Sequence, residues 1–299
     1  MPRDPHSDPP TKVDFDKLPK SRLETMQAAG VEVIDCIRVL AKTGDNIVGE
    51  LLRGAEGFYE WDHYPDGDVY DHETHAQFYY HAHPQELRGG EHGHFHTFMR
   101  ANGIPEGIRP VALADYEKPA ERNDDLTHLI AISMDPQGLP ICLFSTNRWV
   151  TGETWYRADD VCALIDRFDI DHARPSWPVN RWISAMLQLF HPQVVALIRA
   201  RDERVKEWAD KKPGENPYED RDLSISLFFL RPAKVILVPL MKVRGFIRYS
   251  DSVFSLHTSP PSPAFFMALE YLYFSTVPAL RPKTPARLGP IRCLPATSV

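Results

Sequence analysis

Eight of the chain's thirteen histidines fall between Phe58 and Arg100: His63, His72, His75, His81, His83, His92, His94 and His96. Imidazole is the commonest metal ligand among side chains, and alternate residues of a strand share one face, about 6.6 Å apart along it. Parity in a strand over residues 74–83 sets His75, Gln77, Tyr79, His81 and His83 on one face. Ala76, Phe78, Tyr80 and Ala82 form a core face opposite. In the next strand His92, His94, His96 and Phe98 share a face, with Gly93, Phe95 and Thr97 behind them.

Pro84–Gly90 reads as the hairpin loop between these strands, and antiparallel pairing would let histidines of both meet on one face. The expected ligands are His81, His83, His92, His94 and His96, with Glu91 as general base or as the carboxylate partner of a ligand. Glu86, Glu73 and Asp71 are further carboxylates, while His63 and His72 precede the strand and stand outside the face. Three or four nitrogens with an open position suit Zn, Fe, Mn, Cu or Ni, all divalent transition metals. Two other uses of the face stay open: hydrogen bonding within a polar sheet surface, and anion recognition by protonated histidines.

A second candidate is Asn147–Tyr156, NRWVTGETWY. An arginine flanked by tryptophans holds an anionic group bidentately while stacking, which assigns Arg148, Trp149 and Trp155 to substrate binding. The alternative is that the tryptophans are core plugs and Arg148 pairs with an acid. The turn Pro65-Asp66-Gly67-Asp68 lacks the spacing and terminal Glu of a calcium loop. There is no G-x-S-x-G, P-loop or G-x-G-x-x-G, and Cys142 sits in an apolar strand as a core thiol. His128 and His172 are spatial candidates only, and His191 packs or caps at a helix start.

The elements that must carry these residues follow from periodicity. Leu18–Ala41 is a predicted helix with a Ser21/Glu24 capping box, and Asp45 is the predicted cap of a short helix through Leu52. Thr127–Ser133 and Pro140–Thr146 flank an Asp-Pro-Gln-Gly turn and form a hairpin. Asp159 caps a short helix to Phe168, and helices over 179–190 and 192–211 follow. The order predicts an α+β domain, an antiparallel sheet with helices before and after it.

Of the 299 residues, 43% are hydrophobic and 25% charged, which is ordinary for a soluble globular chain. The charge is uneven: residues 1–222 carry a net −14 and residues 223–299 a net +7. The acidic body argues against nucleic-acid binding. Residues 1–17 read as a disordered lead-in, 18–222 as the single domain, and 223–299 as an atypical tail, disordered or the product of a frameshift or gene-model error. No function is placed in that tail. Its nearest approach to a membrane span, Ala264–Leu280, contains Glu270, and no membrane association is expected for 1–222. Without an apolar leader at the N-terminus or paired CxxC cysteines, the expected location is the cytoplasm.

The stretches YHAHPQ…EHGHFHTFMR and HLIAISMD…LFSTNRWVTGETW resemble an uncharacterised bacterial domain family of unknown function, over about residues 20–222. That resemblance implies one domain there and carries no activity. The residues themselves point to a histidine-lined, metal-binding pocket. Two uses share it: a metal-dependent enzyme acting on a small anionic substrate, and a non-catalytic module that binds a metal or small ligand.

Overall fold

A computed structural model describes residues 13–84, 90–113 and 119–223, together with the backbone of 228–230. The sheet is an antiparallel meander: β1 (Tyr64–Tyr70), β2 (Ala76–His81), β3 (Gly93–Arg100), β4 (Leu126–Met134), β5 (Pro140–Phe144) and a three-residue β6 (Phe228–Leu230). Spatial order equals sequence order throughout. Helices α1 (Lys20–Ala41) and α2 (Ile47–Leu51) precede the sheet. The four-residue α3 (Arg148–Thr151), then α4 (Ala158–Ile165), α5 (Trp177–Leu189) and α6 (His191–Lys211) follow β5. The fold is the expected α+β one, helices before and after an antiparallel sheet.

Parity decides which sheet face meets the helices. Phe78 and Tyr80 of β2, Phe95 and Met99 of β3, and Ile130, Ile132 and Met134 of β4 share one buried cluster with apolar residues of α1, α2, α4, α5 and α6. Within it α1 presents Ala29, Val33, Cys36 and Leu40 at helical spacing, and α5 presents Val179, Trp182, Ile183 and Met186. Trp182 is fully buried, its ring 5.6 Å from that of Phe95, which joins the helical layer to the centre of the sheet. Burying such side chains contributes about 1.5–3 kcal/mol each. One sheet face is thereby committed to the core, and the other carries the histidines.

Local starts differ from the predicted ones. Helix α1 begins at Lys20 behind Pro19 with no side-chain cap, so Ser21 lies inside the first turn and the capping box does not form. Proline's fixed φ suits this entry. For α2 the cap is Asn46, whose Oδ1 accepts from the Gly49 amide at 2.9 Å, while Asp45 accepts from Asn46 itself. At α4 the preceding residue is Arg157, and the Ala158 amide donates to Asp202 of α6 at 2.6 Å. The Pro65–Asp68 segment is not a free turn. It lies within β1, whose register shifts between Tyr64 and Val69.

Part of the predicted loop, residues 85–89, lies outside the described residues, as do residues 1–12 and 231–299 of the lead-in and tail. Leu223 is buried against Trp155 and Val205, and β6 pairs with β5 from Phe144↔Phe228 to Cys142↔Leu230. Among the described residues no single helix is long and apolar enough to cross a membrane.

Candidate metal centre

The register of β2 and β3 places His81 opposite His94 and Tyr79 opposite His96. His81, His83 and His94 each offer a ring nitrogen, and these atoms all lie within 4.8 Å of one another. His81 and His94 meet Nε2 to Nε2 at 2.8 Å. The His83 ring lies 4.8 Å from that of His81 and 5.1 Å from that of His94, centroid to centroid. His81 and His94 are buried and His83 is half-buried. A tetrahedral ion with bonds of about 2.0–2.1 Å spaces its nitrogens at roughly 3.3 Å. The His81–His94 contact would have to open by about half an ångström to admit one, with the His83 nitrogen within 4.8 Å of both.

Glu91 fixes the orientation of His94. His94 Nδ1 donates to Glu91 Oε1, and Ser133 Oγ of β4 donates to the other carboxylate oxygen. With Nδ1–H committed to a carboxylate, Nε2 of His94 is the lone-pair nitrogen, aimed at His81. A carboxylate behind a ligating imidazole is the usual means of setting tautomer and raising ligand basicity. Of the two roles expected for Glu91, its contacts with His94 and Ser133 fit the carboxylate partner.

His92 departs from its expected face. The strand begins at Gly93, and the His92 ring turns to the core side, sharing a 2.7 Å hydrogen bond with the Tyr80 hydroxyl and stacking on Phe58 at 5.0 Å. Burial holds its pKa below the usual imidazole value, with Asp135 opposing. His75 also leaves the face, because it precedes β2 in a left-handed turn (φ 63°) and bonds the Tyr70 hydroxyl.

His96 stays on the face one row behind the triad, its ring 4.8 Å from that of His94. Its Nδ1 meets Nε2 of His128 at 3.0 Å, and both residues are buried. His128 arrives through a bulge. Thr97 pairs with Ile130 but Phe98 pairs with His128, so Leu129 is the extra residue and His128 shares a face with Ala131 and Ser133. Glu153, also buried, holds this segment, accepting from the His128 amide at 2.7 Å and the Thr127 hydroxyl at 3.1 Å. Burial raises the Glu153 pKa, against the Arg201 charge and these donors. The His128 pKa falls to about 3, through burial first and the neighbouring Arg201 charge second.

Two residues ahead of β1 join the same face unforeseen. Tyr64 pairs with Tyr80, so one step back along the register His63 comes beside His81, the two rings 5.7 Å apart. His63 stacks on Tyr79 at 3.6 Å and bonds Asp68 at 3.0 Å, and Asp68 accepts from Gln77 at 2.7 Å. Trp61, 57% exposed at φ 73°, anchors its amide on the Ala82 carbonyl and sets its ring 4.3 Å from that of His83. Only the cross-strand register brings these residues in.

Arg148 donates to Glu219, Trp149 lies beneath the Arg221 guanidinium at 4.6 Å, and Trp155 is buried with Arg201 stacked on it at 3.9 Å. Trp155 is thus a plug of the small cluster with Val205 and Leu223. Near it a cleft of about 690 Å³ opens between α4 and α6, lined by Arg157, Arg199 and Lys206 against Asp159, Asp202 and Glu203. Among the other candidates, Asn180 donates to the His172 carbonyl at 2.8 Å, and the His191 ring faces Asp166.

Compared with curated proteins and with solved structures, the chain has no match in either. The family model of a domain of unknown function, DUF6969, matches residues 27–227, the span that holds most of α1, helices α2 to α6, the five long strands and every histidine of the site. The chain belongs to the DUF6969 family.

Proposed function

We propose that this domain binds a divalent transition metal through His81, His83 and His94 and uses the open coordination position for chemistry on a small substrate. The carrying observation is that three ring nitrogens lie within 4.8 Å of one another on a sheet face whose ligand His94 is already oriented by Glu91. Three protein nitrogens leave at least one position of a four-coordinate ion for water or substrate, the arrangement of catalytic rather than closed structural sites. All-imidazole ligation suits Zn, Fe, Cu or Ni, with Mn less favoured in the absence of carboxylate ligands.

The test is elemental analysis of the purified full chain together with its His81→Ala/His94→Ala variant. One equivalent of metal in the wild type and none in a folded variant supports the reading, and a metal-free wild type that takes up no ion on titration overturns it. A second reading, a non-catalytic metal-binding module, draws support from the pairing of Arg148 with Glu219, an acid of this chain rather than of a substrate. Substitution of Co²⁺ separates the two. Bands that shift on adding azide report an open position, and bands that do not report a closed site.

A further inference from the structure

The histidine face carries a second imidazole pair built like the first. His96 Nδ1 and His128 Nε2 are 3.0 Å apart, His81 Nε2 and His94 Nε2 are 2.8 Å apart, and the His94 and His96 rings stand 4.8 Å from each other. In each pair two ring nitrogens face one another with room for a single proton between them. The second pair is the more enclosed, with His96 2% and His128 3% exposed. Its existence depends on the bulge at Leu129, without which parity would send the His128 side chain into the helical core. Bulges that re-aim one side chain recur beside active sites. Here the bulged segment is clamped by the buried Glu153, which accepts from the His128 amide.

We infer that His96 and His128 form a second metal position, so that the face holds two ions side by side, one on His81, His83 and His94 and one on His96 and His128. The inference rests on the metal-binding reading of the triad. A tetrahedral ion spaces its nitrogens at roughly 3.3 Å, so the second pair opens by only about 0.3 Å to receive one. The proton between the rings moves to the outer nitrogen of its own ring or is released to solvent as the ion enters. Because the pair is enclosed, the remaining positions of that ion fall to water or hydroxide shared with the triad ion beside it, the two ions together clamping that oxygen.

The experiment titrates metal-free full chain with Co²⁺ and reads bound metal per chain, in the wild type, in His128→Gln and in His81→Gln. The expected ratios are two, one and one, with circular dichroism verifying the fold of each variant. A wild-type ratio of one that His128→Gln leaves unchanged overturns the second position and spares the triad. A ratio of one that His128→Gln abolishes also overturns it, since His128 would then serve the same ion. No uptake by the wild type removes both readings together. If His128→Gln does not fold, the wild type decides alone through Cu²⁺ loading. A half-field resonance that appears only with the second equivalent supports two neighbouring ions, and its absence at two bound equivalents overturns the side-by-side arrangement.

Discussion

Gly93 and His81 stand in contact across the first turn of the β2–β3 ladder: a Cβ placed on Gly93 would come within 2.6 Å of the His81 carbonyl oxygen and 2.7 Å of the Tyr80 ring. The missing side chain at Gly93 leaves room for the His81 carbonyl and the Tyr80 ring, between His92, whose ring meets Tyr80 and Phe58, and His94, whose ring meets His81. Gly93→Ala should therefore cost about 1–3 kcal/mol, the range for forcing extra carbon into a packed site. It should also weaken metal binding, because the displaced atom belongs to a ligand residue. Denaturant unfolding and Co²⁺ titration on the same preparation check both, and an unchanged affinity would mean that the ladder yields elsewhere.

Glu91→Gln keeps the shape of the side chain and removes the charge behind His94. Loss of such a carboxylate lowers metal affinity by about 10–100-fold. Competition with a chelator of known affinity gives the ratio, and a value within threefold of wild type would show that Glu91 does not act through His94.

Trp61 supplies an optical reporter, since its ring lies 4.3 Å from that of His83. Cu²⁺ or Ni²⁺ bound at the triad should quench part of the intrinsic fluorescence, and Trp61→Phe should lose most of that quenchable part. Equal quenching in both proteins would place the ion away from His83.

Acid should destabilise the metal-free domain in a window set by buried histidines. Burial lowers the pKa of His92, His128 and His191, with His128 at about 3. A depressed histidine favours the neutral form in the folded state, so its contribution is fully present above the unfolded value near 6.5 and is lost as pH falls toward the folded value. For His128 alone the loss from pH 7 to pH 5 is about 2 kcal/mol at 1.36 kcal/mol per unit. Thermal unfolding at the two pH values measures it, and His128→Gln should show a smaller drop than wild type. An equal drop would assign the effect to other groups.

Much of the site could be read from alternation alone. His81 and His83 on β2 and His94 and His96 on β3 fall on one face because a strand repeats every two residues, and the register then sets His81 against His94. What alternation missed has a cause in each case. His92 lies outside the regular strand, so parity does not govern it. His128 reaches the face only because one residue is inserted opposite β3, and single-residue bulges leave no mark in a hydrophobic pattern. His63 depends on how β1 registers on β2, and Arg148 on Glu219, 71 residues further on. The start of α2 was misplaced because the adjacent Asp45 and Asn46 compete for one capping geometry, while α1 and α4 begin behind Pro19 and Arg157 with no side-chain cap for a sequence pattern to find.

An ion at the triad would span only a short stretch of the meander. His81 and His94 are thirteen residues apart and sit on adjacent strands, so an ion linking them closes a ring hardly larger than the hairpin already closes. Cross-links over so short a span restrict the unfolded chain by only about 3 kcal/mol, and the helical core lies on the opposite side of the sheet. An ion held there would be a local staple on one hairpin, and stripping it should loosen that hairpin while the α1–α5 layer keeps the domain folded.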